Sequence, residues 1–339
     1  MNLTELTRDL IDIPSTTGEE LGIGRFLNSY LKSLNYKVQV QAVAEGRANI
    51  IATTTRPPRI ILSTHMDTVP PHIASTEDEN YIHGRGACDA KGIIAAQIAA
   101  AQQLRADGVT EIGLLFTVDE EAGSAGARAA NEHTLAASCR YLINGEPTEN
   151  KLALGSKGSL RLKIKAEGRA AHSAYPEYGE SAIEGLLDVL GDIRACIWPS
   201  DEFFGETTCN IGIVKGGTRS NVIPAEAQAD LQIRLVTAAK PIKQMLEKVV
   251  RERATVEYLS VAEPVKMLAV EGFEATVVRF TTDIPYLTNW GTPLLLGPGS
   301  ILDAHTEHER VAKRELSDAV SLYVRLVRTL LARETDFSL

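Results

Sequence analysis

The hydrophobic positions of this chain fall into two kinds of segment. Leu3, Leu6, Leu10, Ile11 and Ile13 recur at helical spacing and stop before Pro14, which predicts a short amphipathic helix. Thr16-Thr17-Gly18-Glu19 reads as a capping box for a second helix running to about Leu34, with Leu21, Ile23, Phe26, Leu27, Tyr30 and Leu31 inward. Strands are expected near Lys37 to Val43, Asn49 to Thr54 and Arg59 to Thr64. The third has Ile60, Ile61 and Leu62 at its centre and prolines on both flanks, and it ends in His65-Met66-Asp67. An Ala-rich helix from Ile93 to Leu104 follows a glycine-rich loop, and Ile112 to Val118 and Cys139 to Asn144 are two more buried strands. Apolar strands alternating with helices predict an α/β domain: a mostly parallel sheet, helices on both faces, and ligands beyond the carboxyl ends of the strands.

From about Lys157 the pattern changes. Leu160, Leu162 and Ile164 alternate with Arg161, Lys163 and Lys165, which marks a half-exposed antiparallel strand. A helix from Ser181 to Ala195, strands near Cys209 to Val214 and Glu226 to Leu235, a helix from Pro241 to Arg253 and a strand at Val256 to Leu259 complete a βαββαβ order. That order is the ferredoxin-like split motif, so residues 157–263 are expected to be an inserted α+β domain between 1–156 and 264–339. The α/β pattern then resumes with a strand at Pro293 to Leu296. A closing helix carries Leu316, Val320, Tyr323, Val324, Val327 and Leu331 on one face.

A length of 339 residues suits two domains better than one core. The formal net charge of −9 argues against nucleic acid as a partner, since phosphate binding needs clustered Lys and Arg. No apolar run approaches the ~20 residues of a membrane span, and the first residues lack the basic-then-apolar order of a signal peptide, so a cytoplasmic protein without a membrane partner is expected. Cys88, Cys139, Cys196 and Cys209 show no CxxC spacing and read as free, mostly buried thiols.

The candidate chemistry sits where the strands stop. On an extended backbone His65 and Asp67 face the same way, so Asp67 would hold one imidazole nitrogen while the other binds a metal; a satisfied histidine at a strand end is the plainer alternative. Asp89, in Gly84-Arg85-Gly86-Ala87-Cys88-Asp89-Ala90-Lys91-Gly92, is either a helix N-cap or a ligand. Asp119-Glu120-Glu121 and Gly145-Glu146-Pro147-Thr148 follow the next two strands, and His305 lies in Asp303-Ala304-His305-Thr306. Carboxylates gathered at one sheet edge repel one another unless cations neutralise them. Two divalent ions would balance Asp89, Glu121, Glu146 and a bridging hydroxide. Mixed histidine and carboxylate donors suit zinc best, with cobalt or manganese as alternatives.

In this order the motifs, with Gly168-Arg169-Ala170-Ala171-His172-Ser173 added, resemble the co-catalytic metallohydrolases that include acetylornithine deacetylase, succinyl-diaminopimelate desuccinylase, aminoacylase and the glutamate carboxypeptidases. The resemblance covers essentially the whole chain. It implies that His65 and Glu146 bind one metal, that Glu121 and His305 bind the other, and that Asp89 bridges them. Asp67 would orient His65. Glu120 would be the general base, taking a proton from a metal-activated water and delivering it to the leaving amine. The resemblance further implies that the inserted domain is a lid and dimerisation domain, that His172 reaches the site from the other subunit of a homodimer to stabilise the oxyanion, and that Asn221 and Arg234 grip the substrate carboxylate. From the residues alone, His172 reads as an exposed loop histidine, and Arg234 reads equally as a solvated strand residue.

Three functions compete. The first expectation is an amidohydrolase releasing an acyl group from an N-acyl amino acid, of the acetylornithine deacetylase or succinyl-diaminopimelate desuccinylase type. The alternative is a dipeptidase or carboxypeptidase with the same chemistry on a short peptide. A catalytically silent binding protein would be expected to have lost the base or a ligand, and all of these are present.

Overall fold

The computed structural model describes residues 2–336. The chain divides into two compact units: one takes in the chain up to Leu154, Met267–Thr276 and the chain from Thr282, the other Gly155–Lys266 with Val277–Thr281.

In the first unit the strands Ile112–Thr117, Ile60–His65, Tyr141–Asn144 and Thr292–Leu295 lie side by side, all parallel. The hairpin Lys37–Ala44 and Arg47–Thr53 extends this sheet in the antiparallel sense beyond Ile112–Thr117. Every residue of Ile60–His65 and Ile112–Thr117 is buried, as expected for parallel strands covered on both faces, and this explains their unbroken apolar runs. Leu62, Leu114 and Phe116 share one core with residues of the helices Leu21–Ser33, Lys91–Ala106 and Lys313–Asp336, while Ile61 and Leu115, of opposite parity, are equally buried. Leu326 is fully buried in that core. Leu326→Ala is expected to lower unfolding stability by about 2–5 kcal/mol, read by denaturant titration, because the lost methyl groups leave a cavity.

The predicted capping box does not form. The second helix begins at Leu21 after Glu20, which makes no side-chain cap. The Thr17 hydroxyl donates to Asp67 at 2.8 Å instead, and the carboxylate of Glu20, the residue just before the helix, takes both prongs of Arg47 at 2.8 and 2.5 Å. Leu21, expected inward, is 46% exposed.

In the second unit, Thr208–Gly216, Glu226–Leu235, Gly158–Glu167 and Thr255–Ala262 form an antiparallel sheet in that spatial order. Helices Ala182–Arg194 and Ala239–Val250 bury Leu186, Ile193, Ile242 and Leu246 with Leu160, Leu162 and Ile233 of the sheet. The chain order and strand order are those of the split βαββαβ motif. All four cysteines are free, Cys88 and Cys139 buried and the other two half-buried. Among the described residues, no helix is long and apolar enough to cross a membrane.

Candidate metal centre

His65 closes the strand Ile60–His65 and is 1% exposed. Its Nδ1–H donates to the main-chain carbonyl of Asp67 at 2.9 Å, and the Asp67 carboxylate stands 3.6 Å away. The expected carboxylate contact is thus replaced by the carbonyl, because the strand ends at His65 and the extended two-residue repeat ends with it. The Asp67 side chain organises the neighbouring turn instead. Its Oδ1 accepts the Glu120 amide at 3.1 Å and its Oδ2 accepts the Glu121 amide at 3.2 Å and the Thr17 hydroxyl. Asp119, one residue before, has φ +71°, a left-handed conformation that aspartate tolerates better than most residues. Arg47 Nη2 donates to Asp119 Oδ1 at 2.7 Å, so the turn is held from two sides.

The ligand atoms converge on Asp89. Its Oδ1 lies 2.9 Å from His65 Nε2, and its Oδ2 lies 3.3 Å from His305 Nε2. His305 Nε2 also meets Glu121 Oε1 at 2.9 Å, and Glu146 Oε2 stands 4.0 Å from His65 Nε2. One ligand atom each from His65, Asp89 and Glu121 fit within 4.8 Å of one another. Asp89 is not the cap of the following helix: Ala90 occupies that position and makes no side-chain cap. His305 has φ +64°, a strained conformation for a residue with a Cβ, and such outliers gather at functional sites.

Three further side chains support this cluster without having been read from the sequence. Lys91, fully buried, donates to the Ile13 carbonyl at 2.7 Å and ties the Asp89 loop to the first helix; burial brings its amine down to about 7. Asp283, 1% exposed, accepts the Thr117 hydroxyl at 2.7 Å on Oδ2, and burial pushes it up to about 6. Glu309 caps the amides of the Asp89 loop.

The other expected site residues lie in the second unit. His172 is exposed, accepts the Ala174 amide on Nδ1 at 3.1 Å and packs edge-on against Tyr175. The Asn221 carbonyl accepts the Ser173 amide at 3.1 Å, and a β-bridge joins His172 to Val222. These contacts set Asn221 beside the His172 loop. Arg234 is half-buried and donates to the Thr281 hydroxyl at 3.2 Å, which in turn donates to the Lys157 carbonyl.

Residues 61–329 match the model of peptidase family M20/M25/M40. The chain belongs to that family. A probable carboxypeptidase of Emericella nidulans is 37% identical over 381 residues, covering 97% of this chain and 89% of the relative. Among solved structures, a tripeptidase from Staphylococcus aureus superposes with a TM-score of 0.78 at 22% identity over 95% of this chain and 96% of its own. A dinuclear metal-binding M20 peptidase from Bacillus subtilis gives 0.70 at 15% identity over 96% and 98%. This M20 chain is a metallohydrolase acting on peptide or amide C–N bonds. The peptidase alternative fits these relatives better than deacylation of acetylornithine or a similar N-acyl amino acid.

The M20 site fits divalent cations on its own chemistry. Glu146 Oε1 is buried without a hydrogen-bond partner among the described residues, and the donors around Asp89 are imidazole and carboxylate. Burial and the Glu146 charge push the Glu120 carboxyl well up; burial and the Asp89 charge do the same for Glu146, beyond the opposing pull of His65. Burial also raises Glu121, against its hydrogen bond to His305. Burial pulls His65 down, but the neighbouring Asp67 and Asp89 carboxylates hold it well above the usual imidazole range, and hydrogen bonds to Asp89 and Glu121 push His305 up to about 10.

These directions set a pH dependence for the metal-free protein. All five groups bind more protons folded than unfolded. The carboxylates therefore lose stability as pH rises from 4.5 through their raised folded values, and His305 as pH rises through about 10. Asp67 and Asp89 are lowered, so their contributions are present above 3.8 and vanish only in acid. Chelator-treated protein is expected to show a melting temperature that falls between about pH 5 and pH 7, below the range where the lowered Lys91 amine opposes the trend, and added zinc should flatten the slope. A melting temperature that rises over that window without metal would contradict this assignment.

Proposed function

We propose that this chain is a two-metal peptidase of carboxypeptidase or dipeptidase type, cleaving the peptide bond beside the free C-terminal carboxylate of a short peptide. The observation that carries this reading is Asp89, whose two oxygens face the Nε2 atoms of two different histidines. In this reading His65 and Glu146 would hold one ion, Glu121 and His305 the other, and Asp89 would be shared between them, with zinc favoured by the donor set. Such ions supply Lewis acidity toward the scissile carbonyl and lower the pKa of an attacking water.

The remaining work falls to the side chains. Glu120 follows the left-handed Asp119 on the turn that Asp67 fixes through the amides of Glu120 and Glu121. Its raised pKa suits a group that accepts a proton from water and then gives it to the leaving nitrogen. Asp67 acts by holding that turn and the His65 ring. His172 is proposed as an oxyanion donor, and Asn221 and Arg234 as the carboxylate grip. Support for Arg234 is its planar fork of donors, suited to two-pronged carboxylate contact. A cytoplasmic homodimer joined through the second unit belongs to the same proposal. Its support is the edge strand Thr208–Gly216, which leaves Ile213 44% and Val214 53% exposed.

The test is hydrolysis of a panel by zinc-reloaded protein: dipeptides and tripeptides with free C-termini, their C-terminal amides, N-acetyl-ornithine, N-succinyl-diaminopimelate and other N-acyl amino acids. Free-carboxylate peptides should be cleaved. Their amides should fall by roughly tenfold or more in kcat/KM, the loss of one charged hydrogen-bonded contact. Turnover confined to N-acyl amino acids would reinstate deacylation.

A further inference from the structure

Glu309 is separated from Asp89 by 220 positions in the chain, and its side chain is at the base of the Asp89 loop. The residue is 1% exposed. One carboxylate oxygen, Oε1, accepts three main-chain amides of that loop: Gly86 at 2.9 Å, Asp89 at 3.2 Å and Cys88 at 3.3 Å. The other oxygen, Oε2, receives Arg85 Nη1 at 2.6 Å, and Arg85 is itself 2% exposed. Successive amides turned toward one point form a concavity for an anion. Here the anion is a side chain of the protein, and Gly86, at φ +89°, adopts a turn in which a side chain would be strained.

The main chain of Glu309 adds a second tie. Its carbonyl accepts the Gly84 amide at 3.0 Å, and the strand that follows it, Arg310–Ala312, pairs with Tyr81–His83. His305 is only four residues before Glu309. The same residue therefore clamps the loop that carries Asp89 and anchors the segment that carries His305. Those two residues meet at 3.3 Å.

We propose that Glu309, neutralised by Arg85, is a positioning residue that sets Asp89 between the two histidines and so couples the two halves of the metal centre. Its action is through the Asp89 backbone. It touches neither substrate nor reacting atoms. The inference rests on the two-metal reading above. An ion pair that merely stabilised the fold would need no amide contacts to the loop of a shared ligand.

The experiment is a cobalt(II) titration of chelator-stripped full-length protein, followed by visible absorption and calorimetry, on wild type, Glu309→Ala, Glu309→Gln and Leu326→Ala. Wild type should take up two ions. Glu309→Ala should bind at least one of them more weakly by roughly 10- to 100-fold, the range for partners that orient metal ligands, with a changed cobalt spectrum. Glu309→Gln keeps an acceptor oxygen for the amides and should lie between the two. It also serves if the alanine variant does not fold. Leu326→Ala, destabilised in the core, should keep both affinities and the wild-type spectrum. Wild-type affinities and spectrum in both Glu309 variants, with only a lower melting temperature, would overturn the proposal alone. A wild-type protein that binds fewer than two ions would overturn the two-metal reading and the proposal with it.

Discussion

Glu120→Gln is expected to lower kcat by about 10²- to 10⁴-fold while metal content stays that of the wild type. Glutamine matches glutamate in shape but cannot take up a proton from water. The turn should survive the exchange, because it is the Glu120 amide, not its side chain, that donates to Asp67. Glutamine also removes one of the carboxylates whose burial and mutual repulsion raise their pKa values, so folding stability should hold or improve. Steady-state kinetics on a cleavable peptide, paired with metal analysis of the same sample, gives the answer. A kcat within tenfold of wild type would remove Glu120 from the role of base.

Asp89→Asn is expected to act one step earlier, on the metals themselves. Asparagine keeps one oxygen but must present an amide nitrogen to one of the two histidines that Asp89 now faces at 2.9 and 3.3 Å. Both the shared negative charge and one donor oxygen are lost. Affinity for at least one ion should fall by more than the roughly 100-fold that outer partners of a ligand contribute, and peptide turnover should drop to background. Metal analysis after dialysis distinguishes this from a catalytic defect. An Asp89→Asn protein that retained two ions with wild-type affinity would rule out the bridging role.

The strand-end residues were readable because each follows an apolar run long enough to be a buried parallel strand. His65 closes one such strand, and Glu120, Glu121 and Glu146 follow within a few residues of two others. The split βαββαβ order of the second unit was equally clear, since its strands alternate on a half-exposed sheet. What the sequence hid was long-range polar pairing. Thr17 meets Asp67 across 50 positions and Glu309 meets the Asp89 loop across more than 200, and no local periodicity records either partner. The same blindness produced the false capping box, since neither the Asp67 partner of Thr17 nor the Arg47 partner of the neighbouring Glu20 is visible locally. Between Glu263 and Thr292 the short strands Val265–Lys266 and Ala275–Val278 are separated by irregular turns, and Asp283 follows the second of them with no pattern to mark it.

Zinc titration of chelator-stripped protein against hydrolysis of a free-carboxylate dipeptide or tripeptide tests the central claim most directly. Activity should be absent without metal, rise with added zinc and reach its plateau at two ions per chain. Full activity without metal, or a plateau at one ion with no further binding, would contradict a two-metal peptidase built around Asp89.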